Sequence, residues 1–122
     1  MYKTILVTKI IEDGATLLKA LDDKGVPVRA AVWFNDPEKM GWKLIIVTPV
    51  ATTPGPLEAY LQIQFAMTNL DVAISLDDII VMSPDSRKFE EFKRAMEGAA
   101  RGALLKPNVI FDDAYVYRWH SL

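Results

Sequence analysis

Paired carboxylates are the residues of this 122-residue chain whose spacing could support chemistry. Adjacent acids occur at Asp22-Asp23, Asp77-Asp78, Glu90-Glu91 and Asp112-Asp113. Acids that converge from different strand ends can hold Mg²⁺ and activate water. Adjacent residues of a strand point to opposite faces, however, and helix caps and solvated helix faces use the same residue types. We therefore interpret these pairs as caps and solvated surface, and keep a metal-dependent site as the alternative.

Histidine and cysteine usage restricts the other catalytic chemistries. His120 is the only histidine, so a multi-histidine metal site is excluded and any histidine-dependent mechanism would depend on this residue. Cysteine is absent, which removes disulfides, thiol nucleophiles and thiolate metal sites and fits a reducing compartment. We predict no cofactor.

Two short motifs resemble functional loops but lack the required context. Pro84-Asp85 and Glu91-Phe92-Lys93 superficially resemble a restriction-type nuclease motif, yet the second half falls in a predicted helix and the separation is short. The segment TPVATTPGP, residues 48–56, places hydroxyls before a helix N-terminus, where an anion could bind. It lacks the lysine and glycine spacing of a P-loop. We interpret the first motif as chance and the second as a loop that leads into a helix.

Aromatic and basic residues on two predicted strands form the best binding candidate. In VPVRAAVWF, residues 26–34, the period of two places Arg29 and Trp33 on one face. The other face contains Val26, Val28, Ala30, Val32 and Phe34. In DAYVYRWH, residues 113–120, two tyrosines and a tryptophan occupy every second position, and Arg118 lies between Tyr117 and Trp119. On a sheet face left uncovered by helices, such residues would form a platform for a protein partner or for stacked bases. The candidates are Arg29, Trp33, Tyr115, Tyr117, Arg118 and Trp119. The sequence does not fix the register, so burial of these side chains in the core remains open.

Three helices and at least four strands are expected to position these residues. The helices are predicted at residues 10–24, 57–69 and 86–100, and the strands at residues 26–34, 42–47, 79–82 and 113–120. Residues 2–7 would be a short edge strand or an extension of the first helix. The second helix has a broad apolar side, for which we expect burial: Leu57, Tyr60, Leu61, Gln64, Phe65 and Thr68. In the third helix, Phe89, Phe92 and Met96 are expected to face the core.

The order of these elements predicts the fold class. Helix, strand, strand, helix, strand, helix and strand favour a single α+β domain over residues 1–122. We expect a two-layer sandwich, with a mixed, mainly antiparallel sheet of four or five strands and about three helices on one face. A chain of this length can bury a core without metal or disulfide staples.

Composition restricts the class of partner. Hydrophobic residues make up 51% and charged residues 25% of the chain, which is typical of a globular protein. The net charge of −2 provides no overall field that would attract nucleic acid, so we expect no nucleic-acid partner. No apolar run approaches the roughly 18 residues of a membrane span, and no signal-peptide pattern is present. We expect a cytoplasmic protein without a membrane partner.

Four stretches of the chain resemble a family of small, uncharacterised bacterial proteins. These are LLKALDDKGVPVRAAVWF, WKLIIVTPVATTPGPLEAY, ISLDDIIVMSP and AYVYRW. The shared pattern is an apolar helix that ends in LD-x-x-G, a strand that ends in tryptophan, a strand that begins with one, and a closing AYVYR strand. The resemblance implies a bacterial origin and this organisation, and it assigns no functional residue.

Three functional hypotheses follow. The first is a non-enzymatic protein-binding or adaptor module that self-associates as a homodimer through a sheet face or through the edge of the closing strand. The second is a small metal-dependent hydrolase or nucleic-acid-processing enzyme that uses Asp78, Asp112, Asp113 and Arg118 at strand ends. The third and weakest is a single-stranded nucleic-acid binder with an aromatic sheet face. No catalytic motif decides between them, and we favour the first.

Overall fold

The computed structural model describes residues 8–36, 41–99, 109–111 and 114–119, which form three helices and five strands. The helices are α1 (Thr8–Asp23), α2 (Pro56–Met67) and α3 (Arg87–Ala99). The strands are β1 (Ala30–Asp36), β2 (Gly41–Val47), β3 (Ile79–Met82), β4 (Val109–Phe111) and β5 (Ala114–Trp119). All three predicted helices and all four main strands are present, and β4 is an additional short strand.

The five strands form one mixed sheet in the order β3-β2-β1-β5-β4. The pairs β1-β2, β1-β5 and β4-β5 are antiparallel, whereas β2 and β3 run parallel. This arrangement confirms the predicted α+β class with a mixed, mainly antiparallel sheet. The closing strand β5 lies between β1 and β4, and β4 pairs with its first half, Ala114 to Val116. This half of β5 is therefore not the free edge that the first hypothesis considered.

Helices cover both faces of this sheet. Leu17 and Leu21 of α1 and Ile63 of α2 pack in one cluster with Trp33 and other strand residues. The side chains of α3 pack against the opposite face, in a cluster that contains Phe89, Phe92, Met96, Val32, Ile45 and Val116. The inward side of α3 is as predicted, but this helix does not lie beside α1 and α2. Because β1 and β2 are apolar on both faces, each face requires its own cover.

The segment before β1 is not part of the strand alternation. The prediction placed Val26 and Val28 on the same face as Ala30 and Val32. The strand begins at Ala30, and Val26 and Val28 instead pack in the cluster beneath α1 and α2. The strand prediction started too early because Gly25, with φ of +76°, ends α1 and the chain needs several residues to enter the sheet.

A β-bulge in β5 decides which side its last residues face. Ala31 pairs with Arg118, whereas Val32 pairs with Val116, so Tyr117 is the extra residue. A bulge breaks the period of two, because two residues of one strand oppose a single residue of the other. Tyr117 and Arg118 therefore both contact the α1 side, and Trp119 is shifted to the α3 side.

The hydroxyl of Tyr60 occupies the outer edge of β3. This hydroxyl accepts a hydrogen bond from the Val81 backbone N–H at 3.1 Å and donates to the Ile79 carbonyl at 3.5 Å. These backbone groups face away from β2 and would otherwise be available to another strand. Tyr60 thus joins α2 to the sheet and restricts strand addition at this edge.

Asp13 joins α1 to the segment before β3. This residue is 4% exposed, and its carboxylate accepts hydrogen bonds from the Ala73 backbone N–H at 2.8 Å and from Lys9 Nζ at 3.0 Å. The hydrogen bond from Ala73, followed by that from Lys9, lowers the pKa of Asp13 below its ordinary value of 3.8. The ionised carboxylate is therefore the form that stabilises the fold.

This pKa shift gives a testable pH dependence. The unfolded chain binds a proton at Asp13 more readily than the folded chain, so the stabilisation is present above pH 3.8 and is lost as pH falls through the lower folded pKa. Urea unfolding measures the free energy of unfolding at pH 5 and at pH values below 3.8. Between these conditions, we expect Asp13→Asn to lose less of this free energy than the wild type. An equal loss in both proteins would contradict the role of this carboxylate.

Candidate protein-binding surface

Helix α2 exposes three large apolar side chains on its outer side. Leu57, Leu61 and Phe65 are 73%, 49% and 69% exposed, respectively. We call these three residues the α2 ridge. The prediction that this side of the helix is buried is wrong for all three. The side that meets the sheet instead consists of Ala59, Ile63 and Ala66, which are at most 3% exposed.

The ridge follows from the sequence of α2. Gly55, with φ of +142°, and Pro56 start the helix, and apolar residues then occur on nearly every side of it. A helix on a sheet surface can bury only a stripe of its circumference, so one apolar set remains outside when the other is buried. An exposed set at spacing i, i+4 and i+8 forms a continuous row along one helix face. Such rows on single chains often mark protein interfaces.

An open groove of about 650 Å³ runs beside the ridge, between α2 and the end of α1. The groove is lined by Lys24, Gly25, Val26, Glu58, Leu61, Gln62 and Phe65. Gly25 ends α1 in the left-handed conformation, and the Val26 N–H donates to the Leu21 carbonyl at 2.9 Å. This helix end fixes the backbone of Lys24 next to α2.

The groove carries one charge of each sign at different positions along α2. Lys24 Nζ lies 4.9 Å from the centroid of the Phe65 ring, a cation–π contact at the C-terminal part of the helix. Glu58 lies in the first turn and accepts a hydrogen bond from Gln62 Nε2 at 3.1 Å. A partner that fits this groove therefore meets a cation at one end and an anion at the other.

Trp33 and Tyr117 lie beneath α1 rather than on an open face. Trp33 is 3% exposed, and its Nε1 donates to the Tyr117 hydroxyl at 2.9 Å. The Tyr117 hydroxyl in turn donates to the Ile11 carbonyl of α1. Burial raises the pKa of Tyr117 well above its usual value of 10.0. The predicted face that contains Trp33 is therefore core, because α1 covers it.

The four other candidate residues are distributed around the sheet. Arg118 donates to both carboxylate oxygens of Asp22, at 3.0 and 2.7 Å, and to the Val28 carbonyl at 3.2 Å. The hydrogen bonds to Asp22 raise the pKa of Arg118. Tyr115 stacks edge-on against Tyr117, with ring centroids 5.1 Å apart. Trp119 lies on the other face, 6.0 Å from the Phe92 ring, and Arg29 is exposed before β1. The structure does not bring the six candidates together as one platform.

Three members of the predicted carboxylate pairs, Asp22, Asp23 and Asp78, have structural partners. Asp78 accepts from the Ser75 backbone N–H at 3.0 Å in a capping box, as the cap interpretation predicted. Asp23 pairs with Lys19 at 3.2 Å, and Asp22 pairs with Arg118. No cluster of three or more potential metal ligands occurs in the described part of the chain. Asp112, Asp113 and His120 lie outside the described residues.

A smaller groove of about 220 Å³ lies on the other side of the molecule, between α3 and the sheet. Phe34, Ile45 and Phe92 line its interior, with Lys43 and Lys88 among the charged residues around it. Pockets for small molecules usually measure about 300–1,000 Å³. The α2 ridge and its groove are therefore the larger candidate surface.

No protein-family model matches the chain, and searches of curated proteins and of solved structures found no significant match. These comparisons transfer no residue role, and the resemblance to small bacterial proteins stays a prediction. Among the helices that the structure describes, none is long and apolar enough to cross a bilayer.

The contact between α1 and β5 predicts the effect of a small substitution. A Cβ atom at Gly14 would lie 2.7 Å from Tyr117 Cζ and 2.9 Å from Trp33 Nε1. Gly14→Ala should therefore destabilise the protein by about 1–3 kcal/mol, despite the higher helix propensity of alanine. Chemical denaturation measures this change.

Gly98→Ala is the matched control. Gly98 is an exposed helical glycine of α3, and a Cβ atom there would meet nothing within 4 Å. This variant should stabilise the protein by up to about 1 kcal/mol. Stabilisation by both substitutions would contradict the described packing of α1 on Tyr117.

Proposed function

We propose that this chain is a non-enzymatic protein-binding module and that the α2 ridge is its binding surface. The observation that carries the proposal is the exposure of Leu57, Leu61 and Phe65 in one continuous row. Apolar side chains beside a groove with a cation and an anion on its rim match the composition of protein interfaces. We place this activity in the cytoplasm, as the sequence leads us to expect.

The energetics of the ridge favour a partner with its own apolar surface. Complete burial of an exposed leucine or phenylalanine contributes roughly 1.5–3 kcal/mol. The three side chains are already 27–51% buried, taking the exposures given above, so each contributes only part of that value. Association costs at least about 4 kcal/mol in lost motion. A stable complex therefore requires the partner to bury comparable apolar side chains against the ridge.

Two of the residues that the enzyme alternative requires have other roles in this fold. Of the four residues that it requires, Asp78 caps the turn before β3 and Arg118 holds Asp22 of α1. The nucleic-acid alternative requires a basic, aromatic sheet face, whereas Trp33 is core. The α2 groove has one lysine and one glutamate, which does not favour phosphate binding. These structural roles weigh against both alternatives, and the exposure of the three apolar side chains favours the ridge.

Native mass spectrometry of the protein purified gently from its own host tests this proposal. We expect the wild-type chain to carry a second protein chain, and Leu57→Ser/Phe65→Ser to lose it because the apolar row is interrupted. The control is Gln64→Ser/Asn69→Ser, which changes exposed polar residues of the same region and should retain the bound chain. Far-UV circular dichroism confirms that each variant keeps the fold. A wild-type chain without a bound protein, or a bound chain retained by every variant, would contradict the proposal.

A further inference from the structure

We infer that the occupant of the α2 ridge is a second copy of this chain, packed with its α2 antiparallel around a twofold axis at Leu61. The inference rests on the proposed function, because it names the partner of the same surface.

The ridge is self-complementary in the antiparallel orientation. Leu57 and Phe65 each lie four residues from Leu61, about 6 Å along the helix axis on either side. A twofold axis at Leu61 places the two Leu61 side chains together and sets each Leu57 opposite the partner's Phe65. Six exposed apolar side chains are thereby buried instead of three.

The charges beside the ridge are complementary under the same operation. A twofold axis in the plane of the interface and perpendicular to α2 keeps both grooves on one side of the helix pair. Lys24, which lies over Phe65, then approaches the partner's Glu58, which lies beside Leu57. This pairing occurs twice. In a parallel helix pair the two grooves lie on opposite sides, and the two charges do not meet.

Lys24 and Glu58 are available for this pairing. Neither takes part in an ion pair among the residues that the structure describes, and Glu58 is held by a neutral Gln62 side chain. Surface ion pairs contribute little singly, typically a factor of a few in affinity. Two symmetric pairs at the border of an apolar row select the antiparallel orientation more than they increase affinity.

Cysteine cross-linking tests the orientation directly, because the chain has no native cysteine. We expect Leu61→Cys to form a disulfide-linked dimer by itself. Leu57→Cys and Phe65→Cys should each cross-link poorly alone with a short bis-maleimide, whereas an equal mixture of the two should give several-fold more linked dimer. Self-linking of Leu57→Cys and of Phe65→Cys, with no gain on mixing, would show a parallel pair and overturn the inference.

Charge exchange provides an independent readout. Lys24→Glu and Glu58→Lys should each raise the dimer dissociation constant about 2- to 30-fold, from two surface ion pairs of about 0.2–1 kcal/mol each. The double variant should recover most of this loss because the ion pair forms again with reversed sign, whereas the contact of Lys24 with the Phe65 ring is not regained. If the losses of dimer affinity in the two single variants instead add in the double variant, the pairing of Lys24 with Glu58 is overturned.

The failures of the two proposals are distinguishable. Native mass spectrometry could show a complex with a different protein that depends on the ridge, while Leu61→Cys forms no dimer. This result would overturn the inference that a second copy binds the ridge, and the protein-binding function would still stand. A wild-type chain that binds neither itself nor another protein overturns both. Leu61→Cys replaces a half-exposed side chain, and circular dichroism checks that the variant is folded.

Discussion

Both faces of the central sheet must be buried, and the positions of the three helices follow from this requirement. Strands β1 and β2 are apolar on each side, so α1 and α2 cover one face and α3 covers the other. This arrangement places Trp33 and Tyr117 in a hydrogen-bonded contact with α1. Side chains that resemble a binding platform in the sequence thereby become core. The large apolar side chains that remain exposed within the described residues belong to the outer side of α2.

Much of the fold could be predicted from the sequence because its local signals agree. Strand β3 has the predicted bounds, and α3 turns Phe89, Phe92 and Met96 toward the core as its spacing requires. The signals Gly25 and Gly55-Pro56 mark the end of α1 and the start of α2. These features depend on periods of two or 3.6 residues and on turn residues, which a single sequence displays directly.

The rest depends on contacts between distant residues. The bulge at Tyr117 places Trp119 on the α3 face. The sequence AYVYRW contains no signal that predicts an unpaired residue there. The position of α3 on the face opposite α1 and α2 depends on the sheet being apolar on both sides. On α2, the sequence shows apolar residues on most sides, but the sheet decides that Ala59 and Ile63 are inside and Leu57 and Phe65 outside. The candidate surface therefore could not be located before the packing was known.

We propose that the α2 ridge is a contact surface between two copies of this chain. Sedimentation equilibrium over a wide concentration range tests it most directly, with Leu61→Glu as the comparison, because a carboxylate at the centre of the ridge opposes its burial. We expect the weight-average mass of the wild type to rise from one chain toward two, while the variant remains at one chain. A wild type that stays at the mass of one chain, or a variant that associates equally well, would contradict it.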